Sequence, residues 1–321
     1  MIAVSHNIKI NDLLRYFSFM SYKYIALLCC FTLFLASCAG ISVQMNTEAE
    51  SGYLPGDPSI SYKSANKRNG TLKVLTLNVA HGRKDGTNQI FLNKQTIETN
   101  LTDVADMLIK ADADIVALQE ADGPSGWSGK FDHVASIARQ AAYPWYYRAN
   151  HATSRMFTYG TAILSRLPIS KTIEHTFKPS PPTLNKGFLL TRVSWKPDAN
   201  TDKEMYIDVV SVHLDFSRSS VRQQQITEMA TAFAKRENPM IILGDFNSDW
   251  LSDESVVKTL ADKAGFKVYE PAADNMYTYV SKKRRLDWIL ISNELSFVNY
   301  RVLPDVISDH FAVVAEVKLL K

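Results

Sequence analysis

Several short apolar runs in this chain end on a side chain that suits metal or phosphate chemistry. Leu75-Thr-Leu leads into Asn78, and Ile115-Val-Ala-Leu leads into Gln119 and Glu120. Val209-Val-Ser-Val leads into His213, and Ile241-Ile-Leu-Gly into Asp245, Phe246 and Asn247. Late in the chain Ser308-Asp-His310 directly precedes an apolar run from Phe311. A single Asp or Asn after a strand is usually a turn residue. Strand ends are also where an α/β sheet displays functional side chains on rigid supports. An Asn, a Glu, a His, an Asp/Asn pair and an Asp/His pair, all placed this way, exceed what turns require.

The apolar runs predict the strands that carry these groups. They lie at Leu72–Leu77, Ile115–Leu118, Thr161–Leu164, Phe188–Val193, Tyr206–Val212, Met240–Leu243, Trp288–Ile291 and Ala312–Val317. Between them lie helical patterns. Ile97, Leu101, Val104, Ala105, Leu108 and Ile109 recur at spacings of three and four, and Phe131–Ala142, Val221–Lys235 and Glu254–Ala264 read similarly. Alternating strands and helices imply a layered α/β domain. Neighbouring pairs such as Phe188–Val193 and Tyr206–Val212 are close enough for hairpins, joined across Pro197–Asp202 and Lys203-Glu204, so the sheets should be mixed. Composition agrees: of 321 residues 46% are hydrophobic and 21% charged, which excludes disordered, collagen-like and polytopic membrane classes. The three cysteines, Cys29, Cys30 and Cys38, all precede the main body, which excludes a disulfide scaffold, a Cys-ligated metal and a Cys nucleophile there.

Taken in order, Asn78, Gln119-Glu120, Gly160-Thr-Ala-Ile-Leu-Ser165, His213-Leu-Asp215, Gly244-Asp-Phe-Asn247, Leu286-Asp-Trp-Ile-Leu290 and Ser308-Asp-His310 resemble the motifs of the endonuclease/exonuclease/phosphatase superfamily. That group includes DNase I-like nucleases, inositol-polyphosphate phosphatases and bacterial sphingomyelinases. The resemblance spans Thr71–Lys321 and implies a four-layer α/β sandwich, two mixed sheets packed face to face with helices outside. It implies a metal-dependent phosphoesterase. Hydrolysing an anionic phosphodiester calls for charge neutralisation and an activated water. Glu120, Asp309 and Asn78 offer the oxygen donors preferred by a hard cation, Mg2+ with Mn2+ as substitute. No His/Cys cluster has structural-zinc spacing. His310 is the expected general base, since an imidazole near pKa 6.5 takes a proton from water at neutral pH. The resemblance sets Asp287 against that imidazole. Asp245 and Asn247, two apart on an extended segment, are expected to face one side, orienting the nucleophile and holding phosphoryl oxygens. His213 would hold a phosphoryl oxygen or assist the leaving group. Thr161 stands where many relatives carry Asn.

Other residues read as structural. Asp215 caps or turns the chain, Arg222 near a helix start reads as a surface ion pair with a phosphate clamp as the alternative, and His133, His151 and His175 match no motif. His81, three residues after Asn78, is a weaker candidate to line the pocket. Lys282-Lys-Arg-Arg285 lies just before Asp287, so Arg284 and Arg285 are candidate handles for an anionic substrate. Trp127, in the Gly/Ser/Pro-rich loop Asp122–Lys130, is a candidate stacking surface for a base, sugar or headgroup.

The N-terminus reads as a targeting segment. Lys23 precedes the apolar run Tyr24–Ser37, short for a membrane span but suited to a signal peptide. Leu35-Ala36-Ser37-Cys38 resembles a bacterial lipobox, which implies cleavage before Cys38 and lipidation of its thiol. Met20 would serve as a compact start. The expected organisation is a signal peptide (1–37), a lipidated tether (38–70) and a catalytic domain (71–321), anchored on the outside of a bacterial envelope, at the outer membrane if two membranes are present. Losing residues 1–37 takes Lys9, Arg15, Lys23 and Asp12 and lowers the net charge from +3 to about +1. A nearly neutral mature chain must hold an anion by local charge. The substrate reading is a phosphodiester of nucleic acid or a phospholipid headgroup. A phosphomonoesterase on inositol-phosphate-like substrates and a catalytically silent binding module are the alternatives. A monomer without an obligate protein partner is expected.

Overall fold

The computed structural model describes residues 70–198 and 203–320, together with the short strand β1 (Thr47–Ala49). The signal segment, Cys38 and most of the tether lie outside the described residues, as does much of the turn before Lys203. Among the described residues, thirteen strands form two mixed sheets, of seven and six strands. In chain order the rest are β2 (Thr71–Asn78), β3 (Ile115–Asp122), β4 (Trp145–Thr153), β5 (Thr158–Ser165), β6 (Ile169–Thr176) and β7 (Gly187–Trp195). They continue with β8 (Met205–His213), β9 (Met240–Asp245), β10 (Phe266–Val268), β11 (Asp287–Ser292), β12 (Leu295–Val302) and β13 (Val313–Leu319). The seven-stranded sheet runs β1-β6-β7-β8-β9-β11-β10 and the six-stranded sheet β12-β13-β2-β3-β5-β4. All eight strands expected from apolar runs are present. Trp145, Tyr146 and Tyr147, which read as strand residues, open β4, whereas β6 and β12 were not assigned from the sequence because polar and exposed positions interrupt their patterns, and β10 has only three residues.

The layers follow from which faces are apolar. Between the sheets, Leu72, Val74, Ile115, Ala117, Ile163, Val209, Ile241, Leu243, Ile289 and Val313 form one buried core. Strand neighbours two residues apart point the same way, so Leu75 and Leu77 face the opposite side of β2, where α1 (Lys94–Ala111) and α2 (His133–Gln140) cover them. On the outer face of the other sheet Val210, Val212, Ile242 and Leu290 pack under α3 (Ser219–Phe233) and α4 (Val256–Ala264). The four-layer α/β sandwich is thus observed. Helix α1 shows the local logic. The Asn93 side chain accepts from Thr96 N at the start, Asp112 ends the helix in a left-handed conformation (φ 52°), and Ile97, Leu101, Val104, Ala105 and Leu108 are buried. Each fully buried Leu or Ile on that stripe contributes roughly 1.5–3 kcal/mol. Ile109, expected on the same stripe, is exposed. Among the described residues, no helix is long and apolar enough to cross a membrane.

Candidate active site

Strand register brings the predicted groups to one end of both sheets. In the seven-stranded sheet Gly187 pairs with His213, His213 with Asp245, and Asp245 with Asp287, a row across four adjacent strands. In the facing sheet Asn78 pairs with Gln119 at the ends of β2 and β3. Two hydrogen bonds tie these ends together: Asn78 Nδ2 donates to Asp245 Oδ2 at 3.1 Å, and Gln119 Nε2 to Ser211 Oγ at 3.1 Å. The Ser308–His310 segment is held against them by Ser308 Oγ, which donates to the Asn78 carbonyl at 2.6 Å.

Glu120 leaves the ladder by a bulge. The β3–β5 register shifts between Gln119 and Ala121, and Glu120 adopts a left-handed φ of 50°. Such a bulge re-aims one side chain out of the sheet. Gly244 makes the other close approach: its φ is +153°, and a Cβ there would sit 2.0 Å from the Val212 carbonyl oxygen, so β8 and β9 can meet only at glycine.

A cavity of about 280 Å3 opens at this end, lined among others by Asn78, Glu120, His213, Asp245, Asn247 and Asp309. On one wall Nδ1 of His310 lies 2.7 Å from Asp287 Oδ2, while Nε2 faces Asp245 Oδ2 at 4.0 Å. Burial disfavours a charged His310, but Asp287 and Asp245 outweigh it and push the imidazole up to about 10. Burial and the Asp287 charge push Asp245 up to about 7. Each of Asp245, Asp287 and His310 offers a potential ligand atom within 4.8 Å of the others, with Nδ1 of His310 engaged by Asp287 and its Nε2 turned toward Asp245. The Tyr279 ring leans on His310 with centroids 5.0 Å apart.

On the opposite wall Arg83 bridges Glu120 and Asp309, with Nη1 3.4 Å from Glu120 Oε2 and Nη2 2.5 Å from Asp309 Oδ2. The two carboxylates therefore face one space. Burial alone would raise Glu120, but His81, Lys186, His213 and Arg83 together hold it well below the carboxylate range. Asp309 is raised by burial against the pull of Arg83. His81 backs Glu120: Nε2 lies 3.3 Å from Oε2, and Nδ1 lies 2.7 Å from Asp122 Oδ1. This oxygen-rich pair fits a hard divalent cation. Asn78 adds less than expected, because its Oδ1 already accepts from Ala80 N at 3.0 Å and only one lone pair is left.

Three expectations are corrected. Asp245 and Asn247 do not lie on an extended segment: Asn247 has φ 49°, its backbone N donates to Asp245 Oδ1 at 2.8 Å, and its Nδ2 donates to the Leu214 carbonyl at 3.0 Å. The pair forms an Asx turn, and Asn247 still reaches the cavity. Arg285 is not a substrate handle. It is buried, donates to the Glu270 and Tyr269 carbonyls at 2.9 and 3.1 Å, and stacks over Trp288 at 4.0 Å, while Arg284 and Lys282 face the cavity. Arg222 forms no ion pair among the described residues but donates to the Asp215 carbonyl at 3.0 Å. Trp127 packs in an aromatic cluster with Phe157 and His81, ring centroids 4.9 and 5.2 Å away. Asp215 is a turn residue, accepting from Ser217 N, Arg218 N and Thr183 Oγ1. Arg83, Lys186 and Tyr279 were missed. Each lies in a loop, and loop residues carry no periodic signal.

A model of the Endonuclease/Exonuclease/phosphatase family matches residues 75–310. A search of the curated proteins finds none that matches. Solved structures of similar fold include an endonuclease/exonuclease/phosphatase family protein from Leptotrichia buccalis, with TM-score 0.59 and 18% identity over 77% of this chain and 100% of that one. Beta toxin from Staphylococcus aureus gives TM-score 0.54 and 19% identity over 76% and 99%. The human Nocturnin catalytic domain with bound sulfate gives TM-score 0.57 and 15% identity over 79% and 96%. The two-sheet sandwich, the carboxylate, amide and imidazole groups at its open end, and the span of the family match agree: this chain belongs to the endonuclease/exonuclease/phosphatase family.

Proposed function

We propose that this protein is a metal-dependent phosphoesterase that hydrolyses a phosphodiester by in-line attack of water. The carrying observation is the cavity with two differently built walls: Asp245, His310 and Asp287 handle protons, and Glu120 and Asp309 present clustered carboxylate oxygens. A divalent cation such as Mg2+ or Mn2+, held by Glu120 and Asp309 with Asn78 beside them, would supply charge neutralisation for the phosphoryl oxygens. Asp245, raised to about 7, takes the proton of the attacking water, and His310 stands opposite it as an imidazolium held by Asp287. This moves the base from His310, the expectation from unperturbed pKa values, to Asp245. The remaining N–H of Asn247 and the Nε2 edge of His213 face the same cavity and can hold phosphoryl oxygens.

Lys282 and Arg284 at the rim support an anionic substrate, a nucleic acid or a phospholipid headgroup. The sulfate bound by the human Nocturnin domain supports a tetrahedral oxyanion in this fold. The lipobox-like Leu35–Cys38 supports anchoring at the cell envelope. Purified protein should hydrolyse bis(p-nitrophenyl) phosphate with Mg2+ or Mn2+, and lose that activity with EDTA and in His310→Ala and Asp245→Ala. If it cleaves none of DNA, RNA, sphingomyelin, phosphatidylinositol or inositol phosphates, the proposal fails.

A further inference from the structure

Behind His213 lies a buried lysine to which the proposed reaction assigns no part. Lys186 is 7% exposed, and its Nζ lies 3.4 Å from Nδ1 of His213, itself 3% exposed. Local structure fixes this meeting. Gly187 pairs with His213 across β7 and β8, and Lys186 directly precedes it in the chain. Only glycine fits there, because a Cβ at 187 would lie 2.2 Å from the His175 carbonyl oxygen and 2.4 Å from Nδ1 of His151. The loop before Lys186 is tied to the segment after His213 by Thr183 Oγ1, which donates to Asp215 Oδ2 at 2.6 Å. The Lys186 carbonyl accepts from Phe177 N at 3.0 Å.

An ammonium has only donors, so its contact with an imidazole nitrogen requires that nitrogen to be the acceptor. The proton of a neutral ring then sits on the other nitrogen. We propose that Lys186 is a positioning residue that fixes His213 as the neutral Nε2–H tautomer, making it a hydrogen-bond donor to a phosphoryl oxygen and not an acid for the leaving group. This rests on the phosphoesterase reading. The Nε2 edge faces Asp245 Oδ2 at 3.5 Å and lines the cavity, where its hydrogen can be shared with a substrate oxygen. Protonating Nδ1 would bring two cations into contact in a buried site. Burial and Lys186 both hold His213 well below its ordinary value, with Glu120 opposing them and His310 and His81 adding to them. Burial holds the Lys186 amine below its ordinary value, and the charges of Glu120, Asp245 and Asp215 oppose that shift in favour of the ammonium.

The test is the 15N spectrum of histidine-labelled protein, with the His213 signals identified by their loss in His213→Asn. The expected wild-type result is an Nε2–H ring that does not titrate between about pH 5.5 and 8.5. In Lys186→Met the ring should mix tautomers or titrate within that window, with kcat falling at least ~10-fold and KM changing less than ~3-fold. Lys186→Arg should restore the Nε2–H signal. An Nδ1–H or imidazolium signal in the wild type overturns the proposal, as does an unchanged tautomer in Lys186→Met. Should Lys186→Met fail to fold, the wild-type and Lys186→Arg spectra decide alone. The tautomer is read without turnover, so a protein that cleaves no ester would sink the phosphoesterase reading and leave this measurement standing.

Discussion

His151 should make this protein sensitive to mild acid. The imidazole is buried on β4, with Nε2 2.9 Å from Thr161 Oγ1 and Nδ1 3.1 Å from Thr176 Oγ1. Among the described residues no carboxylate pairs with it. Burial, aided by His175 and Lys186, pushes it down to about 3. In the unfolded chain the same ring protonates near pH 6.5. The unfolded state therefore binds the extra proton, and the stability tied to His151 is complete above about pH 6.5 and falls as pH drops toward 3. At about 1.4 kcal/mol per pH unit the loss is ~2 kcal/mol by pH 5 and ~5 kcal/mol at the lower limit. Urea denaturation of wild type and His151→Gln at about pH 8 and pH 5 isolates this contribution, since other groups titrate equally in both. Gln keeps a partner for the threonine hydroxyls and cannot protonate. The variant should be less stable at pH 8 and lose ~2 kcal/mol less than wild type on acidification. Equal losses in the two proteins would refute the reasoning.

Three further outcomes follow from named contacts. Asp287→Asn removes the charge that holds the His310 imidazolium; kcat should fall by about 10²–10⁴, measured by steady-state kinetics beside a melting curve showing a folded protein. Arg285→Met should cost roughly 2–4 kcal/mol in denaturant unfolding by losing two carbonyl contacts and its stack on Trp288, and leave kcat within about twofold. Asp215→Ala should cost roughly 2–4 kcal/mol, because its carboxylate accepts from Thr183, Ser217 and Arg218. Those bonds hold its pKa below the ordinary value against burial, so the stability they give is present above about pH 4 and lost as pH falls through the lower folded value; acid unfolding curves of the variant should lack this component.

The site was legible in the sequence to the extent that its residues end apolar strand runs. Asn78, Glu120, His213 and Asp245 announce themselves that way, His310 does so by directly preceding the last apolar run, and in-register pairing then brings Asp287 opposite Asp245. What lay hidden depends on backbone geometry or on loops. The bulge that turns Glu120 outward and the Asx turn at Asn247 both use left-handed φ values at non-glycine residues, which no spacing rule reveals. Arg83 reaches Asp309 across 226 residues of sequence, and Lys186 meets His213 from the loop ahead of β7. Arg285 was misjudged because a run of four cations does not say which side chain turns inward. Thr161, the departure from the family pattern, has a local role here as a partner of the buried His151.

The most direct test of the account is hydrolysis in 18O-labelled water with Mg2+, followed by 31P NMR of the phosphate product. Attack of an activated water on phosphorus predicts one 18O on the product phosphate, seen as an isotope shift, with no label in the released alcohol. Label in the alcohol, or turnover that survives Glu120→Gln together with Asp245→Asn, would contradict it.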